Sequence, residues 1–126
     1  MKWILLLSLW PISLLEPVPT WYSEVVVEAP RRHVVLASFY HDSLHRRLTA
    51  SGTRYDRNAL TVAHRTLPFG TRVRLTSEAT GRSVDVVCTD RGPFIPGRTW
   101  DLSRAAARRL GMVRAGVVEV TWEVIG

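Results

Sequence analysis

The chain is poor in cysteine, in lysine and in long apolar runs, and each shortage removes a class of explanation. A single cysteine, Cys88, among 126 residues excludes an internal disulfide. It lies in an alternating stretch and reads as a small buried apolar residue. Lysine occurs once, at Lys2, so the formal charge of +6 is carried by 16 arginines. They are scattered from Arg31 to Arg114, with none of the like-charge blocks that mark a basic nucleic-acid arm. No nucleic-acid motif accompanies them, so nucleic acid is not an expected partner. A basic surface also attracts anionic membrane or anionic polymer, and an extracytoplasmic protein beside an anionic cell wall is the natural reading. No apolar run reaches the roughly eighteen residues of a membrane helix. The one at Trp3 to Leu15 is interrupted by Ser8, Pro11 and Ser13. Metal ligands are equally short: His41 and His45 flank Asp42 with no third ligand evident, and zinc sites use three or four. No metal site is therefore expected.

Residues 1–20 carry Lys2, then the short apolar run, and fit a secretory signal peptide. The alternative is an N-terminal hydrophobic segment packed on the domain. Export to the periplasm or cell envelope is the expected outcome, with transient membrane association through the leader. No cysteine follows the run to carry a lipid. Residues 21–33 read as a linker, and 34–126 as one domain of a size that supports a modest core, expected to be monomeric.

Within that domain the pattern is mostly β. Residues 34–40 suggest a strand. Residues 71–77 alternate strictly, with Val73 and Leu75 on one face and Arg72 and Arg74 on the other. A turn around Gly81 leads to a return strand over 83–90, and a last strand covers 116–125. One short α-helix is predicted near 103–110. Ser103 or Asp101 caps its start, and Gly111 stops it. Many short strands in so few residues favour a small barrel, because closure removes exposed edges. Residues 41–58 form a long polar connection, and long loops in compact domains are commonly functional.

Asp90 ends the 83–90 strand, ahead of Arg91, Gly92 and Pro93. Two uses are open to it. It caps the turn through backbone N–H groups, or it serves as a general acid on a glycan. The second use demands a carboxyl still protonated near neutral pH, well above the ordinary value of about 3.9. Adjacent strand residues point to opposite faces, so Arg91 is expected to turn away and leave Asp90 unpaired. His64 either hydrogen-bonds a catalytic carboxylate or is satisfied at a strand end. Tyr55 and Phe94, set among loop and polar residues, are candidates for a groove wall. Phe39 and Trp100 read as core.

The motifs "LTASG", "ALTVAHRTLPFGTRV", "DRGPF" and "DLSRAAARRLGM" resemble, in this order, the catalytic domain of the rare lipoprotein A (RlpA) family of septal lytic transglycosylases. The resemblance runs from about residue 34 to 125. It implies a mainly β fold, a six-stranded double-psi β-barrel. It implies peptidoglycan as partner and substrate, with a preference for strands stripped of stem peptides. The implied reaction is cleavage between N-acetylmuramic acid and N-acetylglucosamine without water, leaving a 1,6-anhydromuramyl end, and it needs no metal or cofactor. The family's acid falls on Asp90, which would protonate the glycosidic oxygen and then act as base toward the muramyl C6 hydroxyl. The family's histidine falls on His64. Arg91, Tyr55, Phe94 and Thr53 are the expected substrate contacts. At Thr53 the chain departs from the pattern, since many members carry a glutamate there. A threonine cannot exchange a proton at neutral pH, which keeps open an alternative: a non-catalytic, expansin-like glycan-binding module.

Overall fold

The computed structural model describes residues 33–126. The expected leader and all but the last residue of the expected linker lie outside the described residues. Among the described residues, six strands, β1 (Val35–Phe39), β2 (Thr61–Ala63), β3 (Arg72–Ser77), β4 (Ser83–Asp90), β5 (Arg98–Leu102) and β6 (Val118–Val124), accompany one α-helix, α1 (Arg104–Leu110), and a 3-10 turn at Asp42–Leu44. The strands close into a barrel in the order β1-β5-β2-β4-β3-β6.

The β3–β4 pair follows directly from alternation. Val73 and Leu75 are fully buried and face Val86 and Val84 in an antiparallel register, while Arg72 and Arg74 are exposed. The turn between the strands closes on Gly81, whose positive φ of 72° suits a residue without Cβ. Val62, Cys88, Trp100, Leu102 and Val120 complete the interior, and Ala106, Ala107 and Leu110 of α1 pack against it. The last strand departs from its pattern. Val120 is buried, but Trp122 and Val124 on the same face are 39% and 54% exposed. Trp122 instead covers the edge of Trp100, with ring centroids 5.6 Å apart.

Ser103 is the residue that caps α1: its Oγ accepts from the Ala106 N–H. Asp101 lies inside β5 instead. That strand was not evident from periodicity, yet it is central, pairing with β1 on one side and β2 on the other. Gly111 ends the helix in the left-handed region, φ 72° and ψ 28°, and the Met112 N–H returns to the Ala107 carbonyl. A Cβ at Gly111 would stand 2.8 Å from Arg82 Nη1, the far end of a flexible side chain. The backbone is therefore the larger obstacle. Gly111→Ala should destabilise the domain by about 1–2 kcal/mol, the cost of a left-handed non-glycine residue, read from the midpoint of a urea titration.

Candidate active site

The register of the strands sets four residues in one row. Ser38 of β1 stands opposite Asp101 of β5, Asp101 opposite Ala63 of β2, and Ala63 opposite Asp90 of β4. Directly opposed residues share a face of the sheet. Asp101 lies between Trp100 and Leu102, both fully buried in the barrel, so alternation turns the row away from the interior. The loop of residues 41–58 folds over this face, where Tyr40, Tyr55, Ala63 and Leu44 form a second small apolar cluster.

Strict alternation would have aimed Asp90 inward with Val84, Val86 and Cys88. A bulge prevents this. Val62 pairs with Cys88 and the next residue, Ala63, pairs with Asp90, so Thr89 is the extra residue on β4. Bulges re-aim side chains in this way. The half-buried Asp90 carboxylate then meets three donors. Tyr40 Oη–H donates to Oδ2 at 2.6 Å, and the N–H groups of Ala50 and Arg91 donate to Oδ1 at 2.8 and 2.9 Å. The capping reading of Asp90 thus describes part of what is there. Asp90 does cap its own turn, and it also ties the 41–58 loop to the barrel rim.

Asp101 joins Asp90 in this row, although the sequence did not mark it as a candidate. Its only sequence signal is a polar position between Trp100 and Leu102. Ser38 Oγ donates to its Oδ1 at 3.1 Å. Burial pushes its pKa up to about 6; the Asp90 charge adds to this, while the Ser38 hydrogen bond and Arg98 oppose it. Tyr40 is likewise raised, first by burial and then by its bond to Asp90, so its phenol stays neutral.

The other expected site residues are distributed less simply. Thr53 lies on the exposed turn beside Asp90. Its hydroxyl sits 3.2 Å from Thr49 Oγ1 and 3.0 Å from Ser51 Oγ, next to the Ala50 N–H that holds Asp90. Phe94 is 76% exposed in the loop that follows Asp90. Tyr55 contributes to a surface hollow with His45, Arg46, Arg54, Asp56 and Asn58, though little of it is exposed there. It is buried with its ring edge-on to Tyr40 at 4.7 Å, and its hydroxyl accepts from the Arg104 N–H. The loop folds back on itself at Arg46 and Arg47, whose backbones bond to Tyr55 and carry it inward.

His64 is also not where a partner of the acid would be. It follows Ala63 and so turns to the opposite face, with its ring against Trp100 at 4.5 Å. Nδ1 accepts the N–H groups of Thr66 and Leu67, which leaves the proton on Nε2. Burial first, then the positive charges of Arg65 and Arg91, lower its pKa and favour the neutral ring. Its link to Asp90 runs only through the backbone, from the His64 N–H to the Asp90 carbonyl at 3.2 Å. Arg91 turns away from the Asp90 carboxylate, as alternation requires. Nη1 donates to the carbonyls of Leu67 and His64, and the guanidinium lies 3.9 Å over the Phe69 ring. Its contacts hold the 64–69 turn.

Comparison with known proteins decides the lineage. A family profile described as lytic transglycolase matches residues 32–122. The chain belongs to this lytic transglycolase family. It is 51% identical over 90 residues to the probable endolytic peptidoglycan transglycosylase RlpA of Synechocystis sp., covering 71% of this chain and 28% of that protein. It is 49% identical over 90 residues to the endolytic peptidoglycan transglycosylase RlpA of Pasteurella multocida, covering 71% of this chain and 31% of that protein. The chain thus spans about a quarter to a third of these curated relatives. Among solved structures, the Streptomyces papain inhibitor aligns with a TM-score of 0.58 at 25% identity, over 79% of this chain and 100% of the inhibitor. The apo Clavibacter michiganensis expansin aligns with a TM-score of 0.58 at 20% identity, over 74% of this chain and 50% of that one. The expansin likeness is one of fold. The family's double-psi β-barrel is the architecture described above.

Proposed function

We propose that this lytic transglycolase domain cleaves peptidoglycan glycan strands between N-acetylmuramic acid and N-acetylglucosamine, leaving 1,6-anhydromuramyl ends. The observation that carries the reading is the bulge that brings the Asp90 carboxylate out onto the loop-covered face, with donors fixing both of its oxygens. A carboxylate held this way is preorganised to take the proton of the muramyl C6 hydroxyl as that oxygen closes on the anomeric carbon. No water enters the products, unlike the two-carboxylate hydrolases. Exposed apolar side chains in the loops that adjoin it, Phe94 in the one that follows it and Leu48 in the one whose Ala50 N–H it accepts, offer sugar-ring contacts. The relatives named endolytic peptidoglycan transglycosylase support the substrate class.

Incubation of the protein with denuded glycan strands should release fragments with anhydro ends, identified by mass spectrometry. Binding without fragments would sink the catalytic reading. It would favour the second one, a glycan-binding module, which Thr53 favours by standing where a glutamate is usual. The leader further suggests a site of action in the cell envelope. A reporter fused to residues 1–33 and retained in the cytoplasm would argue against that.

A further inference from the structure

Glycosidic cleavage needs a proton on the departing oxygen, and its donor must still hold that proton at the working pH. Asp90 is surrounded by donors on both oxygens, and the two at Oδ1 are backbone N–H groups that have nothing to accept with. Asp101 has the opposite surroundings. Its side chain meets a single hydroxyl, Ser38 Oγ at 3.1 Å, which can rotate to accept. Among the described residues no cation pairs with it directly. Arg98 acts on it only at a distance, and the Tyr40 and Tyr55 phenols near it are both held neutral. Burial keeps the Asp101 proton in place up to a pH of about 6. In the register of the strands Ala63 stands between the two aspartates, and Tyr40, whose hydroxyl bonds Asp90, packs on it. Two strand spacings put the aspartate Cα atoms about 9–10 Å apart. Carboxyls that divide acid and base work around a sugar stand about 6.5–9.5 Å apart, a span open to two side chains that leave one face of a sheet from Cα atoms at this spacing.

We propose that Asp101 is the acid and Asp90 the base, so that two carboxyls divide the work a single one would otherwise do twice. The assignment rests on the transglycosylase reading and deepens it. The Asp101 proton passes to the glycosidic oxygen as its bond to the muramyl C1 breaks, and the N-acetylglucosamine end leaves as an alcohol. The muramyl O6 forms the new bond to C1, and its proton passes to Asp90. Asp101 ends ionised and Asp90 protonated. One proton returned from Asp90 to Asp101 through solvent restores the site, and no water is consumed.

An aryl glycoside of a muramyl-ended oligosaccharide tests this, because a phenolate leaves without needing a proton. On denuded polymer, Asp101→Asn should lose at least about a hundredfold in kcat/KM. On the aryl glycoside it should stay within about tenfold of the wild type, while Asp90→Asn stays impaired on both. The wild type provides a readout that needs no variant. Its kcat/KM on polymer should fall about tenfold per pH unit above a pH of about 6, and that limb should be missing on the aryl glycoside. An Asp101→Asn protein that cuts polymer normally, or is equally impaired on both substrates, overturns the assignment. So does a wild-type profile flat through pH 6 to 8. If the wild type cleaves neither substrate, the transglycosylase reading fails first and the acid role falls with it. If it cleaves both with none of these signatures, the acid role alone fails.

Discussion

Asp90→Asn should lower glycan cleavage about a thousandfold, within the range that general acid–base groups contribute, and leave folding intact. The reason lies in the contacts of the side chain. Asn Oδ1 can still accept the N–H groups of Ala50 and Arg91. At the other end the new amide donates where Oδ2 accepted, and the Tyr40 hydroxyl can rotate from donor to acceptor. Every hydrogen bond therefore survives the exchange, and the 41–58 loop stays tied to the barrel. The ability to take a proton does not survive. The check is a pair of measurements on one preparation: anhydro-ended product by mass spectrometry, and a urea midpoint. Wild-type cleavage by the variant would remove Asp90 from the chemistry. A large fall in stability would show that the carboxylate's negative charge, not only its shape, holds the loop.

Local pattern alone specifies part of this molecule. The β3–β4 hairpin follows from strict alternation around Gly81, and α1 from its Ser103 cap and Gly111 stop. The parts that went unread depend on contacts distant in sequence. β5 is five residues of mixed polarity after a proline- and glycine-rich loop, and it becomes a strand because β1 and β2 offer it partners on both sides. Without that strand Asp101 looked like an alternative helix cap, and its row with Ser38, Ala63 and Asp90 could not be drawn. Asp90 itself stood out through its motif, yet its direction depends on one extra residue, Thr89, relative to β2. Tyr55 looked like a surface aromatic because its neighbours are polar. Backbone bonds with Arg46 and Arg47 fold it beneath the loop instead. His64 was recognised as important by resemblance, but single-residue alternation after Ala63 sends its ring to Trp100 and not to the acid.

Asp101→Asn should make the domain more stable at pH 8 and leave its stability at pH 3 nearly unchanged. In the native state the carboxyl titrates near 6, against an ordinary value of 3.8. Below the ordinary value both native and unfolded chains are protonated there, and the residue imposes no penalty. Between the two values the native state binds a proton that the unfolded state has released, so wild-type stability falls as pH rises. Above the native value both states are ionised and the loss is complete. Each unit of displacement is worth about 1.4 kcal/mol, so the wild type gives up as much as about 3 kcal/mol by pH 8. An asparagine cannot ionise and gives up none of it, and its carbonyl still accepts from Ser38 Oγ. Urea titrations at pH 3, 5 and 8 should therefore diverge only on the alkaline side, with a gain in melting temperature of about 10 °C or more there. Curves that stay parallel across that range would mean that burial does not hold the proton. A substitution that stabilises the fold while silencing cleavage is the signature of a group retained for chemistry, because structure alone would favour its loss.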